Sequence, residues 1–157
     1  MNSNSCFFIG HHDAGTNVLP LLEKAVEQHI TEYDVTDFCV GHYGAFDRMA
    51  AQTVKNAKKR HPEVTLMLLL PYYPDHPMPT PEGFDGIYYP PNMESVPKRY
   101  AIVRANQHMI SVSTHLIAYA WNCLGSSGNL VEYARKREKQ GLIHIDNLAK
   151  QRTPYAL

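Results

Sequence analysis

Three short segments of this sequence combine glycine with residues that can hold or transform a ligand, and each follows an apolar run. They are Gly10-His-His-Asp-Ala-Gly15, Gly41-His-Tyr-Gly-Ala-Phe-Asp47 and Gly125-Ser-Ser-Gly-Asn-Leu-Val-Glu132. Glycine lets the backbone approach a ligand closely, and a helix that follows such a turn supplies free N–H groups and a positive dipole. The segments therefore predict binding of an anion, above all a phosphate group.

In the first segment, Gly10, His11 and His12 are candidate ligand-binding residues. The alternative is an ordinary turn between a strand and a helix, with solvated histidines. Adjacent histidines point apart, whereas a metal site normally needs three or more converging ligands. No metal site is expected here, and no cofactor other than a nucleotide-like ligand.

In the second segment, Gly41 and Gly44 flank a turn that enters a helix, and Asp47 falls in the first helical turn. The functional interpretation is that Asp47 accepts hydrogen bonds from ribose hydroxyls or from the edge of a base. An acidic residue at that position is also stabilised by the helix dipole, so capping alone would explain it.

In the third segment, the candidate ligand-binding residues crowd the turn that precedes the next helix. They are Gly125, Ser126, Ser127, Gly128 and Asn129. Such a turn cradles phosphate with backbone N–H groups and hydroxyls. Asn129 and Glu132 stand three apart, as a capping pair does. Glu132 has a second interpretation, as a general acid/base or nucleophile.

A further set of polar residues lies on a helix expected over residues 98–113. Its apolar stripe contains Ile102, Val103, Met109 and Ile110. Asn106 falls on that stripe, where a polar side chain must find partners, either in the core or on a ligand. Arg99 lies two turns earlier on nearly the same line, and Arg99 and Arg104 can each pair with a phosphate. A solvated surface position is the alternative for either arginine.

Apolar runs and helical patterns alternate along the chain and determine how these residues are positioned. Strands are expected at 6–9, 37–40, 64–70, 115–120 and 142–145, with a strand-like segment at 86–89, and helices at 17–30, 45–60, 98–113 and 129–140. The connections are too long for hairpins. The predicted fold class is α/β, a Rossmann-like three-layer α/β/α arrangement with a mainly parallel sheet, in which ligands bind beyond the carboxyl ends of the strands.

Residues 1–157 are expected to form a single domain. Residues 71–97 contain eight prolines and interrupt the alternation, which favours either a lid or an interaction surface. Residues 146–157 show no clear pattern and are expected to frame a subunit contact or to fray.

Composition excludes several classes of function. Fifteen basic residues balance fifteen acidic ones, so extended nucleic-acid binding is not expected. No apolar stretch approaches the roughly 20 residues that span a bilayer, and no secretory signal is visible. Three cysteines without metal-binding spacing are typical of reduced thiols, which indicates a cytoplasmic protein.

The spacing Gly41-x-x-Gly44-x-x-Asp47, followed by Gly125-x-x-Gly128-Asn-x-x-Glu132, resembles the SLOG superfamily. That superfamily includes the cytokinin-activating phosphoribohydrolases, once mislabelled lysine decarboxylases, and the DNA-processing protein A domains. Residues 6–12 and 96–106 are most similar to a bacterial branch of it, and the resemblance covers roughly residues 5–147. It implies a Rossmann-like fold, a nucleotide or nucleotide-derived ligand, and a homodimer that buries helices.

The sequence departs from the phosphoribohydrolase pattern at two motifs. Where that pattern reads Pro-Gly-Gly-x-Gly-Thr-x-x-Glu, this chain has Leu124, Ser126 and Asn129 in place of the proline, the second glycine and the threonine, and it keeps Glu132. The Arg-Lys-x-x-Met motif is absent, because Arg104 is followed by alanine. These departures favour binding over hydrolysis.

The leading hypothesis is a module that binds or senses a nucleotide or a nucleotide-derived ligand. The alternative is a hydrolase that cleaves the N-glycosidic bond of a nucleoside monophosphate. In that case Glu132 would assist the attack, and Arg99 or Arg104 would hold the phosphate. A third hypothesis is a partner-binding protein that uses the aromatic, proline-rich residues 72–89.

Overall fold

The structure is a computed structural model that describes residues 4–120 and 126–151, with side chains for residues 4–120 and 129–149. Its strands are β1 (Asn4–Gly10), β2 (Val35–Val40), β3 (Thr65–Leu69), β4 (Gly86–Tyr88), β5 (His115–Tyr119) and β6 (His144–Asn147). Its helices are α1 (Leu19–Thr31), preceded by a 3-10 turn at Thr16–Val18, then α2 (Ala45–Lys58), α3 (Lys98–Val112), α4 (Ser126–Lys139) and α5 (Leu148–Gln151).

The described strands form one sheet in the order β4-β3-β2-β1-β5-β6, and all of the pairings are parallel. The chain builds outward from β1 to β4 on one side, then returns to place β5 and β6 on the other. This reversal between β1 and β5 is the topological switch point, beside which ligands bind in open parallel sheets. With helices on both faces, the topology confirms the predicted Rossmann-like α/β/α fold.

The central strand β1 is buried on both faces, because successive side chains of a strand point in opposite directions. Cys6 and Phe8 belong to the core shared with α1 and α2, whereas Phe7 and Ile9 belong to the core shared with α3 and α4. Burial on both faces explains the unbroken apolar run from which the sequence predicted this strand.

The second half of the proline-rich segment is anchored to the sheet. Strand β4 lies within it, pairing with β3 through Leu68 and Ile87. Asp85 accepts a hydrogen bond from the Leu66 amide at 2.8 Å and forms an ion pair with Lys58 of α2. The Lys55 ammonium lies 4.5 Å from the centre of the Phe84 ring. The strand-like segment expected at 86–89 therefore corresponds to β4, which is an edge strand of the sheet.

Helix α4 begins earlier than the sequence indicated. It runs over Ser126–Lys139, so Ser126, Ser127 and Gly128 lie in its first turn and not in the loop that precedes it. Gly125 lies outside the described residues. The predicted end is confirmed: Gly141 has φ +75°, and the Leu142 amide donates to the Arg137 carbonyl at 3.0 Å, as in a Schellman C-cap.

The start of the predicted tail is structured, which corrects the expectation of a patternless segment. Asp146 and Asn147 end β6, and Leu148 at the start of α5 is fully buried in the core. The Asn147 side chain donates to the Ala120 carbonyl at 3.1 Å and accepts from the Ala149 amide at 3.1 Å. This asparagine therefore ties the end of β5 to α5. In the part of the chain that the structure describes, no helix has the length and apolar character to cross a membrane.

Candidate functional site

A pocket of about 140 Å³ opens at the carboxyl ends of β1 and β2, on the face of the sheet covered by α3 and α4. Six residues that the sequence singled out line it: Gly10, His12, Gly41, Gly44, Asp47 and Asn106. Carboxyl ends of parallel strands share one edge of a sheet, so segments far apart in sequence meet there. The first two glycine segments thus border one cavity.

The two glycine segments are joined directly to each other. The Ala45 amide donates to the His12 carbonyl at 2.7 Å. A Cβ on Gly44 would overlap the backbone of His12, and a Cβ on Gly10 would overlap the buried ring of Phe46. Packing within the chain is therefore sufficient reason for glycine at both positions. It also fixes the shape of the pocket wall.

Asp47 is a half-buried acidic group of the pocket whose pKa is strongly raised. It is the third residue of α2, and its Oδ2 accepts a hydrogen bond from the Tyr43 amide at 3.0 Å. Burial raises the pKa of the carboxyl group from 3.8 to about 6, although the Tyr43 amide and the Arg48 guanidinium act in the opposite direction. Asp47 can therefore accept or release a proton near neutral pH.

The two adjacent histidines separate, as the sequence predicted. His12 is exposed and lines the pocket. The His11 amide donates to the Tyr119 carbonyl at 3.2 Å, and its ring meets the Tyr119 ring edge-on at 6.1 Å. Burial lowers the pKa of His11. His11 thus borders the end of β5 and does not line the pocket. Among the described residues, no group of three or more His, Cys, Asp or Glu side chains is placed to hold a metal ion.

Helix α3 turns a different face to the core than the sequence suggested. Its buried residues are Ala101, Ala105, Met109 and Ile110. Ile102 and Val103, which were assigned to the core stripe, are exposed at 39% and 38% and line the pocket. The half-buried Asn106 lies beside them, so its amide faces the cavity. The alternative of a core asparagine does not hold, and the ligand contact stays a prediction.

The two candidate arginines do not line the pocket. Arg99 is exposed, with its guanidinium 4.9 Å from the centre of the Tyr100 ring. At roughly 100° per residue, Arg99 lies within about 20° of Asn106 around the axis of α3, and it is about two turns closer to the N-terminal end of the helix. Arg104 is exposed and lies about 160° away from Asn106. Only Arg99 is on the side of the helix that faces the cavity.

From the third glycine segment, α4 contributes Leu130 to the pocket wall. Asn129 is the fourth residue of α4, so the predicted capping pair with Glu132 is wrong. The Glu132 side chain is 55% exposed and accepts a hydrogen bond from Arg135 at 3.0 Å. Neither Asn129 nor Glu132 lines the pocket. Gly125 and the side chains of Ser126 and Ser127 lie outside the described part of the chain.

Sequence reasoning missed Tyr43 and Leu130 as lining residues. The position of Tyr43 between Gly41 and Gly44 could have indicated that it lines the pocket. Burial raises the pKa of Tyr43 to about 12, with further contributions from Tyr72 and Asp47. Its ring packs against His42 with the centroids 4.3 Å apart. Leu130 had no such signal, because an apolar residue in a helix normally indicates the core.

No family model matches the chain, and no curated protein matches it. Among solved structures, it is similar to the Moco carrier protein from Chlamydomonas reinhardtii at 15% sequence identity and a TM-score of 0.49, over 92% of this chain and 89% of that one. The SLOG resemblance therefore stays a prediction.

Proposed function

We propose that this protein binds a nucleotide or a nucleotide-derived ligand whose anionic group enters the 140 Å³ pocket. One observation carries the proposal: the carboxyl ends of β1 and β2 and the N-terminal end of α2 border the same cavity, to which α4 adds Leu130. The N-terminal end of a helix has a partial positive charge and unpaired N–H groups, so it attracts anions.

Helix α2 supplies the donors that are easiest to assign. The N-cap residue of α2 is Gly44, which has no side chain that could cap the helix. The Ala45 amide is already paired with His12, which leaves the following amides of the first turn to a ligand. These amides belong to Phe46 and Asp47. Phe46 is fully buried, so this turn is rigidly placed.

The pocket admits only part of a nucleotide. Cavities for drug-sized ligands are roughly 300–1,000 Å³, whereas this one is about 140 Å³. One phosphate group and its neighbouring atoms fit that scale. The Asp47 carboxyl group stands at the wall, where it can accept a hydrogen bond from a ribose hydroxyl. The rest of the ligand must extend out of the pocket.

Cleavage of an N-glycosidic bond has less support. Glu132 and Arg104, to which hydrolysis would be assigned, both lie outside the pocket, and Glu132 is paired with Arg135. A general acid or base must lie within hydrogen-bonding reach of the reacting group. We therefore propose binding or sensing and assign no catalytic role to Glu132.

Isothermal titration with AMP, GMP, CMP, UMP and NAD⁺ tests the proposal. At least one of them should bind, and Asn106→Ala should weaken that binding roughly three- to tenfold, as expected for one lost hydrogen bond. Gln107→Ala is the matched control, since Gln107 is next to Asn106 but does not line the pocket. Absence of binding by every nucleotide would contradict the proposal, as would equal effects of the two variants.

A further inference from the structure

A second cavity, of about 320 Å³, lies where the proline-rich segment meets the start of α3. It is lined mainly by apolar and aromatic side chains, including Tyr72, Tyr73, Tyr89, Met93, Val96 and Lys98. Its volume exceeds that of the first pocket and reaches the lower end of the range for ligand sites.

We propose that this cavity is a second subsite, which takes the flat heteroaromatic ring of the ligand whose anionic group occupies the first pocket. The inference rests on the proposed function and names the part of the ligand that the smaller pocket cannot hold. It also assigns a role to the proline-rich segment: that segment forms one wall of a binding site.

The aromatic side chains of the cavity provide a stacking surface. The Tyr73 and Tyr89 rings are stacked with centroids 4.3 Å apart and planes inclined by 21°. Tyr73 is nevertheless 71% exposed, so the face of its ring away from Tyr89 is open. Planar rings stack on such faces, and the interaction tolerates different bases because each has a π-face.

The side of the stacking surface formed by Tyr89 is anchored to the sheet. Tyr88, directly before Tyr89, belongs to β4, and the Leu70 amide donates to its carbonyl at 3.1 Å. Met93 is buried in the core beneath α3 and α4. The part of the wall formed by Tyr89 and Met93 is thus attached to the sheet or to its core, and Tyr73 stacks against it. Anchoring of this part of the wall lowers the cost of ordering the protein when a ring binds.

The two cavities lie side by side. Each cavity is lined by a residue of the loop that follows a strand, the first by Tyr43 after β2 and the second by Tyr72 after β3. Helix α3 presents Lys98 to the second cavity and Ile102 to the first. Four residues of helix correspond to about 6 Å. A ligand that spans both sites therefore has a ring and an anion separated by a short linker, as in a nucleoside monophosphate.

A cation and an acidic residue in the lining of the second cavity suit the same ligand. Lys98 occupies the first turn of α3, where a cation opposes the helix dipole and where no acidic residue of that turn offsets it. The Lys98 ammonium lies 5.6 Å from the centre of the Tyr72 ring, at the edge of the stacking surface. Glu94, also in the lining, can accept hydrogen bonds from amino or imino groups on the edge of a ring.

The test compares ligands with and without the ring. Isothermal titration of the full chain with AMP, GMP, CMP, UMP and ribose 5-phosphate should give at least one nucleotide that binds about tenfold more tightly than ribose 5-phosphate, as stacking implies. Tyr73→Ala should abolish most of that difference and leave the affinity for ribose 5-phosphate unchanged. Tyr73→Phe should preserve the difference. Tyr100→Ala is the matched control, since Tyr100 is exposed but lines neither cavity.

The outcomes separate the two proposals. If ribose 5-phosphate binds as tightly as every nucleotide, or if Tyr73→Ala weakens all ligands equally while circular dichroism shows a folded chain, the ring subsite is wrong and the anion pocket remains. If none of the probes binds, the proposed function fails and the subsite fails with it.

Discussion

Replacing Asp47 with asparagine tests the electrostatics of the pocket without a ligand. Asparagine has nearly the same shape, and its side-chain oxygen can still accept the hydrogen bond from the Tyr43 amide. The substitution therefore removes mainly the charge. Because burial disfavours the charged carboxylate, we expect Asp47→Asn to stabilise the folded protein at neutral pH.

The magnitude follows from the pKa. Burial raises it from 3.8 to about 6, and each pKa unit corresponds to about 1.4 kcal/mol. Removing the charge should therefore raise the free energy of unfolding by at most about 3 kcal/mol, because the group is partly exposed and solvent screens part of the effect. Between these two pKa values the folded state holds more protons than the unfolded state, so the wild-type free energy of unfolding falls as pH rises. The gain from Asp47→Asn should be complete above pH 7, about half as large at pH 5, and about a fifth as large at pH 4.

Urea denaturation at pH 5, 6, 7 and 8 measures the gain directly. Asp85→Asn is the control with the opposite sign. Burial alone would raise the pKa of Asp85, but hydrogen bonds from Lys58 and from the Leu66 amide lower it. That variant should lose stability at neutral pH. If Asp47→Asn is less stable than the wild type at pH 8, or if its gain does not change between pH 5 and pH 8, our explanation of the pocket is wrong.

Three further substitutions address the packing and the site. Gly44→Ala places a methyl group against the His12 backbone and should lower the free energy of unfolding by about 1–3 kcal/mol, measured in urea; an unchanged value would show that the two glycine segments are not in contact. Leu148→Ala should lower it by about 2–5 kcal/mol, since Leu148 is fully buried; a loss below about 1 kcal/mol would mean that α5 is detached from the core. Glu132→Gln should leave nucleotide affinity in titration calorimetry unchanged, and a loss of tenfold or more would place Glu132 at the ligand.

The fold could be predicted because its signals are local and regular. Apolar runs and helical spacing alternate along the chain, and the order of connections leaves few topologies for a parallel sheet. The same regularity explains why Gly10, Gly44 and Asp47 could be assigned to one edge before the structure was known. Each follows a strand, and parallel strands end on the same side.

The orientation of helices could not be predicted with the same accuracy. On α3, Ile102 and Val103 look like core residues, yet the sheet is covered by the alanines at 101 and 105. Small residues let the helix approach the sheet closely, and this leaves the larger side chains to line the pocket. A pattern of apolar residues indicates that a helix has an apolar face, but it does not tell which of two neighbouring faces packs against the sheet.

The start of α4 was predicted three residues too late, and this error affected the role expected for Glu132. With the helix beginning at Ser126, Glu132 is its seventh residue, not the fourth. Three residues correspond to about 4.5 Å of helix, so the carboxylate lies that much farther from the N-terminal end of the helix, at an exposed position beside Arg135. Serine and glycine at 126–128 favoured a loop by their low helix propensity, which is a weak signal that the surrounding structure often overrides.

The most direct measurement of anion binding at this edge is the change in backbone amide chemical shifts as AMP, GMP, CMP and UMP are added in turn. We predict that a nucleotide that binds shifts residues 10–12, 41–47 and 126–130, including the amides of Phe46 and Asp47, in addition to residues 72–73 and 89–98 around the proposed ring subsite. Changes confined to the opposite edge of the sheet, around His115 and His144, or no changes with any of the four nucleotides, would contradict the claim that this pocket holds the anion.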